Sequence, residues 1–260
     1  MYPFSVFTKP WQTQPIEWVG EFVSRLGFQG IELPVRPGYQ VTPEEVGRKL
    51  VPAAKALAAQ GVRIYSVAGP TDEATIAACA EAGVPVIRVM ARVLKDETYL
   101  QAEERLWREY DALVSLLDRY GVTLGVQNHC NRFVPNGVAL HRLLERYDRK
   151  HIAAVWDAAH EALNGGDMDL ALDAVWPHLC LVNLKNAIWQ RTNGPEAEYA
   201  RWRIYWTSGR QGLAVWPDVV AELKRRNYGG VVCLTAEYSD EPAVERLIAE
   251  DMAYARALLA

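Results

Sequence analysis

Cysteine is scarce and scattered in this sequence. Cys79, Cys130, Cys180 and Cys233 are four of 260 residues and form no CxxC pair. Two of them fall inside predicted strands, so buried reduced thiols are the expectation. No uninterrupted apolar run approaches the ~18 residues of a membrane span. The N-terminus, Met1-Tyr2-Pro3-Phe4-Ser5, lacks a charged-then-apolar signal pattern. There is no Lys/Arg-rich run and the net charge is −4, which argues against a nucleic-acid surface. No GxGxxG or GxxxxGK[ST] loop follows any strand, which weakens a nucleotide-binding open sheet. These absences leave a cytoplasmic protein with no membrane or nucleic-acid partner as the expectation.

With 50% hydrophobic and 23% charged residues the chain can bury a full core. Its punctuation repeats: an amphipathic helix, a Gly, then an apolar strand. The joints are Leu26-Gly27-Phe28, Gln60-Gly61-Val62, Ala82-Gly83-Val84, Tyr120-Gly121-Val122 and Tyr228-Gly229-Gly230-Val231. Gly just past a helix end accepts the left-handed conformation without a Cβ penalty. Strands are predicted over Pro3–Thr8, Gly30–Leu33, Val62–Val67, Val84–Met90, Val122–Val126, Ile152–Trp156, Leu179–Val182 and Val231–Ala236. Helices are predicted over Pro15–Leu26, from a capping box at Thr42-Pro43-Glu44-Glu45, then over Thr71–Ala82, Asp96–Tyr120, Gly137–Tyr147, Met168–Val175 and Pro242–Leu259. Eight β/α units predict a single (β/α)8 TIM barrel over residues 1–260. One connection breaks the rhythm. Residues 186–213 after the seventh strand form a long loop rich in Trp and Arg, including Trp189, Trp202 and Trp206. Active-site cover, subunit contact and plain packing are its three readings.

Four strands run into polar residues: Gln127 with His129, Asp157 with His160, Asn183 with Lys185, and Glu237. Side chains alternate along a strand, so Gln127 and His129 share one face and Asn128 takes the other. The C-terminal ends of barrel strands are where such folds keep their active sites. Gln127, Asp157, Asn183 and Glu237 all offer oxygen, which suits Mg²⁺, Mn²⁺ or Ca²⁺ better than Zn²⁺. The same four also suit a layer of mutually hydrogen-bonded amides and carboxylates. His129 and His160 are the proton-transfer candidates. Lys9, Glu32, Arg36 and Arg88 lie near the ends of the first, second and fourth strands. They can bind substrate, or Glu32 can form a structural pair with an Arg. His141, His151 and His178 read as structural.

Phe7-Thr8-Lys9-Pro10, Gly27-Phe28-Gln29-Gly30-Ile31-Glu32-Leu33, Arg36-Pro37-Gly38, Gln127-Asn128-His129, Asp157-Ala158-Ala159-His160 and Ala236-Glu237-Tyr238 together resemble the xylose-isomerase-like TIM barrels. These are the sugar phosphate isomerase/epimerase-like proteins, which share a fold with endonuclease IV. The resemblance implies a divalent metal, Mn or Mg, held by Glu, Asp, His and Glu at the ends of strands five to eight, with the two Glu as acid and base. Asp157 and Glu237 match that set. Gln127 replaces the first Glu, and Asn183 replaces the His of a His-x-Lys-Asp motif. A Gln cannot serve as a base, so a one-base reaction fits better than a two-base epimerisation.

The resemblance implies a sugar isomerase or epimerase-like enzyme acting on a small carbohydrate. Glu237 or His129 would move the proton. A metal at Gln127, Asp157, Asn183 and Glu237, or Lys185 or Arg88, would stabilise the enolate. Lys9, Glu32, Arg36, Arg88, His160 and Trp189 would hold the substrate. A lyase or hydratase on a 3-keto sugar and a non-catalytic sugar-binding barrel are the alternatives. The DNA-repair branch needs three zinc ions and many His ligands, and five His residues do not supply them. A homo-oligomer is a further expectation from the resemblance.

Overall fold

Strands with apolar side chains on both faces must be covered on both, and a parallel barrel wrapped in helices does that. The computed structural model describes residues 2–260. Eight parallel strands close the barrel: β1 (Phe4–Phe7), β2 (Gly30–Pro34), β3 (Arg63–Ala68), β4 (Val86–Met90), β5 (Thr123–Gln127), β6 (Ile152–Asp157), β7 (Leu179–Leu184) and, after an inserted hairpin, β10 (Val231–Leu234). Their order is β1-β10-β7-β6-β5-β4-β3-β2, so β1 pairs with both β2 and β10 and no strand edge is left open. The helices are α1 (Ile16–Leu26), α2 (Val46–Ala58), α3 (Glu73–Ala82), α4 (Tyr99–Tyr120), α5 (Gly137–Leu144), α6 (Ala158–Leu163), α7 (Met168–Val175), α8 (Trp216–Arg225) and α9 (Val244–Leu259). None is long and apolar enough to cross a membrane.

Most of the core lies between sheet and helices. It includes Phe22, Ile31, Leu50, Ile87, Leu124, Trp156 and Trp216. Burying one such aliphatic side chain fully contributes roughly 1.5–3 kcal/mol. Phe7, Ala68, Val155, Leu181 and Cys233 form a separate apolar plug in the lumen. It makes the barrel solid and gives the site a floor.

Four of the five helix-to-strand joints carry the expected left-handed Gly, at Gly27, Gly61, Gly83 and Gly121. At the fifth the positive φ belongs to Asn227, not Gly229; Asn tolerates that region through its short polar side chain. The capping box expected at Thr42 does not form. The Thr42 side chain makes no cap hydrogen bond, and residues Pro43–Glu45 form a single 3-10 turn. Glu45 instead pairs with Arg48 and Lys49 on the next turn of α2. A capping box is present where α4 begins, between Thr98 and Gln101, so this helix starts three residues later than expected. Helix α5 ends at Leu144, short of Tyr147, whose hydroxyl donates to Asp111 Oδ1 at 2.8 Å.

Two elements were not foreseen. Asp157 caps a short helix, α6, by accepting the His160 N–H at 3.1 Å. The long connection after β7 is a β-hairpin, β8 (Asn186–Arg191) with β9 (Trp202–Thr207), paired antiparallel. Asn186 fixes its base: its amide donates to Gly209 and Ala214 carbonyls at 2.9 and 2.8 Å.

Candidate active site

The strand ends converge as the alternation requires. Gln127 and His129 face a pocket of about 190 Å³ at the C-terminal mouth of the barrel. That is below the roughly 300–1,000 Å³ of drug-sized sites, so the ligand is small. Lys9, Arg36, Arg88, His160, Lys185 and Glu237 share its wall. Phe7, Met90 and Trp206 also line it and were not foreseen. Trp206 had a signal: it sits in the Trp/Arg-rich segment, but choosing it over Trp189 needed the hairpin register. Trp206 pairs with Ala187 near the hairpin base, whereas Trp189 lies two residues further out, opposite Ile204. Trp189 does not reach the pocket; it is 42% exposed and donates to the Leu163 carbonyl. A larger cavity of about 350 Å³ between helices α2 and α3 has Arg63 as its one charged wall residue.

Glu32 is fully buried behind the wall. It binds Arg88 through both carboxylate oxygens, and Ser66 Oγ donates to it at 2.9 Å. Of the two roles open for Glu32, the pair with an Arg is the one formed, and it aims the guanidinium over the face of Phe7 at 4.8 Å. The Arg36 guanidinium lies over the same ring at 5.6 Å.

Glu237 follows Ala236, whose φ of 50° is a left-handed value that a non-Gly residue adopts at a cost of roughly 1–2 kcal/mol. Strain of this kind aims the carboxylate inward. One Glu237 oxygen accepts from Lys9 and the other from Lys185 at 2.6 Å. Burial alone would raise this carboxyl, but the Lys185 and Lys9 ammoniums outweigh it and hold it well below the usual range. The Lys185 ammonium also sits 3.7 Å over the Trp206 ring.

Asp157 is fully buried. Gln127 Nε2 donates to it at 2.8 Å and Asn183 Nδ2 at 3.4 Å. Burial raises its carboxyl to about 6, against the opposing pull of Lys185. Asn128 points away, as alternation predicts, and donates to Glu161 behind the strand.

The two histidine rings lie against each other, centres 3.8 Å apart and tilted by 34°. His129 Nδ1 lies 2.8 Å from the Cys130 carbonyl, which can only accept, so Nδ1 carries the proton and Nε2 a bare lone pair. His160 has the opposite tautomer, because its Nδ1 accepts the Cys130 N–H at 3.3 Å. Burial lowers both below the ordinary imidazole value and keeps them neutral. His129, Cys130 and His160 cluster closely enough to suggest a metal. Both Nδ1 atoms are already bonded to the backbone, and burial pushes the Cys130 thiol up to about 11.

A family model described as xylose isomerase-like TIM barrel matches residues 21–258. The chain belongs to the xylose isomerase-like TIM barrels. Among solved structures it is similar to D-psicose 3-epimerase from Clostridium cellulolyticum H10, with a TM-score of 0.75, 12% identity and 99% of each chain covered. It is also similar to 3-keto-D-glucoside 4-epimerase from E. coli, with a TM-score of 0.75 and 13% identity, covering 99% of this chain and 100% of that one. A probable 3-DHS dehydratase from Bacillus anthracis has a TM-score of 0.72 and 18% identity, covering 97% and 98%. At these identities the likeness is one of fold. No curated protein matches the sequence.

The divalent metal implied for this xylose isomerase-like barrel does not fit the four residues in its place. Mg²⁺ and Mn²⁺ want about six oxygen donors with carboxylates among them. Both oxygens of Glu237 already hold ammonium groups, and Asp157 is bonded to two amide NH₂ groups and the His160 N–H. Among these four residues the buried acceptors left without a partner are two neutral amide oxygens, Gln127 Oε1 and Asn183 Oδ1. These favour a donor such as a hydroxyl as readily as an ion. A second cation would lie beside the Lys185 ammonium.

Proposed function

We propose that this barrel is a metal-independent isomerase that moves a proton beside the carbonyl of a small keto sugar, with His129 as the single base. The carrying observation is the His129 lone pair. Among the described residues on the pocket wall, no other group presents a free basic nitrogen or oxygen. Glu237 is held by two ammoniums, His160 presents an N–H, and Gln127 is an amide. That supports a role for Glu237 in positioning lysines, in place of the acid–base role the resemblance implied.

In this reading the substrate lies beside Trp206, and its carbonyl oxygen accepts from the Lys185 ammonium. His129 Nε2 removes the proton from the neighbouring carbon, the electron pair moves to the carbonyl oxygen, and Lys185 with Arg88 stabilises the enediolate. Lys185 gives a proton to that oxygen and takes one from the neighbouring hydroxyl, which becomes the new carbonyl, while the imidazolium returns its proton to the former carbonyl carbon on the same face. A two-base epimerisation lacks an opposing base. β-Elimination needs the same first step with a leaving hydroxyl, and the one-base wall favours it as the second reading.

The test is NMR in D₂O with a panel of pentuloses, hexuloses and 3-keto sugars. Expected is deuterium at one carbon beside the carbonyl together with an isomeric product, and a rate roughly 10²–10⁴-fold lower in His129→Gln. Release of water with an enone product selects the elimination. Exchange that persists undiminished in His129→Gln overturns the assignment.

A further inference from the structure

The charges around the pocket do not cancel. Lys9, Arg36, Arg88 and Lys185 face Glu237, Glu32 and Asp157, four cations against three carboxyls. Glu237 takes both lysines and Glu32 takes Arg88. Arg36 is the cation left over: among the described residues its side chain makes no ion pair and no hydrogen bond. Its guanidinium is nonetheless half-buried, stacked on Phe7 beside the guanidinium of Arg88. Burial, and then the neighbouring Arg88 charge, lower its pKa. Two like charges over one ring are unfavourable unless an anion lies between them.

Arg36 is also held in place. Its N–H donates to the Val41 carbonyl and its carbonyl accepts from Tyr39. The turn around it is anchored by Gln12 Nε2 to the Gly38 carbonyl at 3.1 Å, and by Gln40 Nε2 to the Trp11 and Gln14 carbonyls at 2.7 and 2.8 Å. Gly38, with a φ of 82°, permits the close turn. An arginine on so fixed a loop is preorganised, so little freedom is lost when it binds.

We propose that the substrate is an acidic sugar, carrying a carboxylate or a phosphate, and that Arg36 anchors this group against Phe7 with Arg88 at its side. A planar guanidinium fork suits either group. The inference names the substrate class of the site proposed above and rests on that reading only for where the reacting carbon lies. A neutral sugar would leave Arg36 without a counter-charge, and a cation would meet four positive side chains.

The experiment is titration calorimetry of the whole protein at low salt with D-fructose, D-gluconate and D-fructose 6-phosphate as probes, in wild type, Arg36→Gln and Arg203→Gln. Expected is an affinity for one of the two acidic sugars about tenfold or more above that for fructose. Which acid is preferred identifies the group. In Arg36→Gln the ratio should fall to about one, while Arg203→Gln, on the hairpin away from the pocket, keeps it. Equal affinities for all three sugars, or a ratio unchanged in Arg36→Gln, overturns the proposal. Deuterium exchange separates this outcome from the function itself. Exchange on ketoses without acid preference removes the anchor and leaves the isomerase. Acid preference that depends on Arg36, with no exchange on any sugar, keeps the anchor and removes the isomerase.

Discussion

The buried pair of Glu32 and Arg88 makes the sharpest stability prediction. Glu32 is 1% exposed and Arg88 6%, and the guanidinium meets the carboxylate through Nε at 3.1 and 3.3 Å as well as through Nη2. Glu32→Gln keeps the shape and one accepting oxygen but removes the negative charge. Breaking a buried pair from one side typically costs 3–5 kcal/mol, because a charge is left uncompensated. Arg88 would retain the Phe7 face, worth about 1 kcal/mol, and a sliver of exposure at the pocket. The lower end, about 3 kcal/mol, is therefore expected. For a chain of this size that lowers Tm by roughly 6–12 °C. Replacing both, Glu32→Gln with Arg88→Met, removes the stranded charge. The double variant should be more stable than the sum of the two losses predicts, by about 2 kcal/mol. Calorimetric and circular-dichroism unfolding, run together to check that transitions coincide, provide the cycle. A Glu32→Gln shift under about 2 °C, or strictly additive losses, would refute the claim that this pair is an electrostatic unit.

Glu237→Gln should preserve the fold and lower turnover by about 10²-fold or more, since Lys9 and Lys185 lose their shared anchor; steady-state kinetics at unchanged circular dichroism is the check. Added Mn²⁺ should give no calorimetric binding signal and a chelator no change in Tm, whereas Lys185→Ala should gain Mn²⁺ affinity by relieving repulsion; tight binding to the wild type would contradict the fit argued above. Burial pushes the Glu161 carboxyl up to about 7 from its ordinary 4.5, so the folded chain holds a proton that the unfolded chain releases. Glu161 should therefore lower stability as pH rises from about 4.5 to about 7, by on the order of 2–3 kcal/mol; Asp157 and Asp251, each raised to about 6, add to the fall below that pH, so Glu161→Gln should remove only its own share, most visibly between pH 6 and 7, in a series of urea titrations.

The barrel was legible because its signals are local. Gly after a helix and an apolar run after Gly recur, and no long-range contact is needed to read them. The hairpin Asn186–Arg191 with Trp202–Thr207 was not legible. Its strands alternate weakly, ten residues separate them, and Arg and Gln occupy positions that in a buried strand would be apolar. The failed box at Thr42 is a local misreading of another kind. Thr-x-x-Glu was present, but Arg48 and Lys49 compete for the same carboxylate, and charge won over the backbone N–H. In the site, alternation correctly put Gln127 and His129 together, while the partners of Glu237 could not be read. Lys9 and Lys185 are remote in sequence, and only the pairing of β10 with both β1 and β7 brings them to one carboxylate.

Two departures from the ligand set that the resemblance implies, at Gln127 and Asn183, occur together. A set of Glu, Asp, His and Glu carries three negative charges, which a divalent ion largely balances. With Gln127 and Asn183 in place, only Asp157 and Glu237 carry charge, and Lys9 with Lys185 already balances them. In the proposed reaction the Lys185 ammonium would hold positive charge where an enolate oxygen develops. It does so with N–H groups that can also lend a proton to that oxygen. In the proposed reaction the lysine retained at position 185 would hold that charge, and the base would be His129, two residues beyond Gln127.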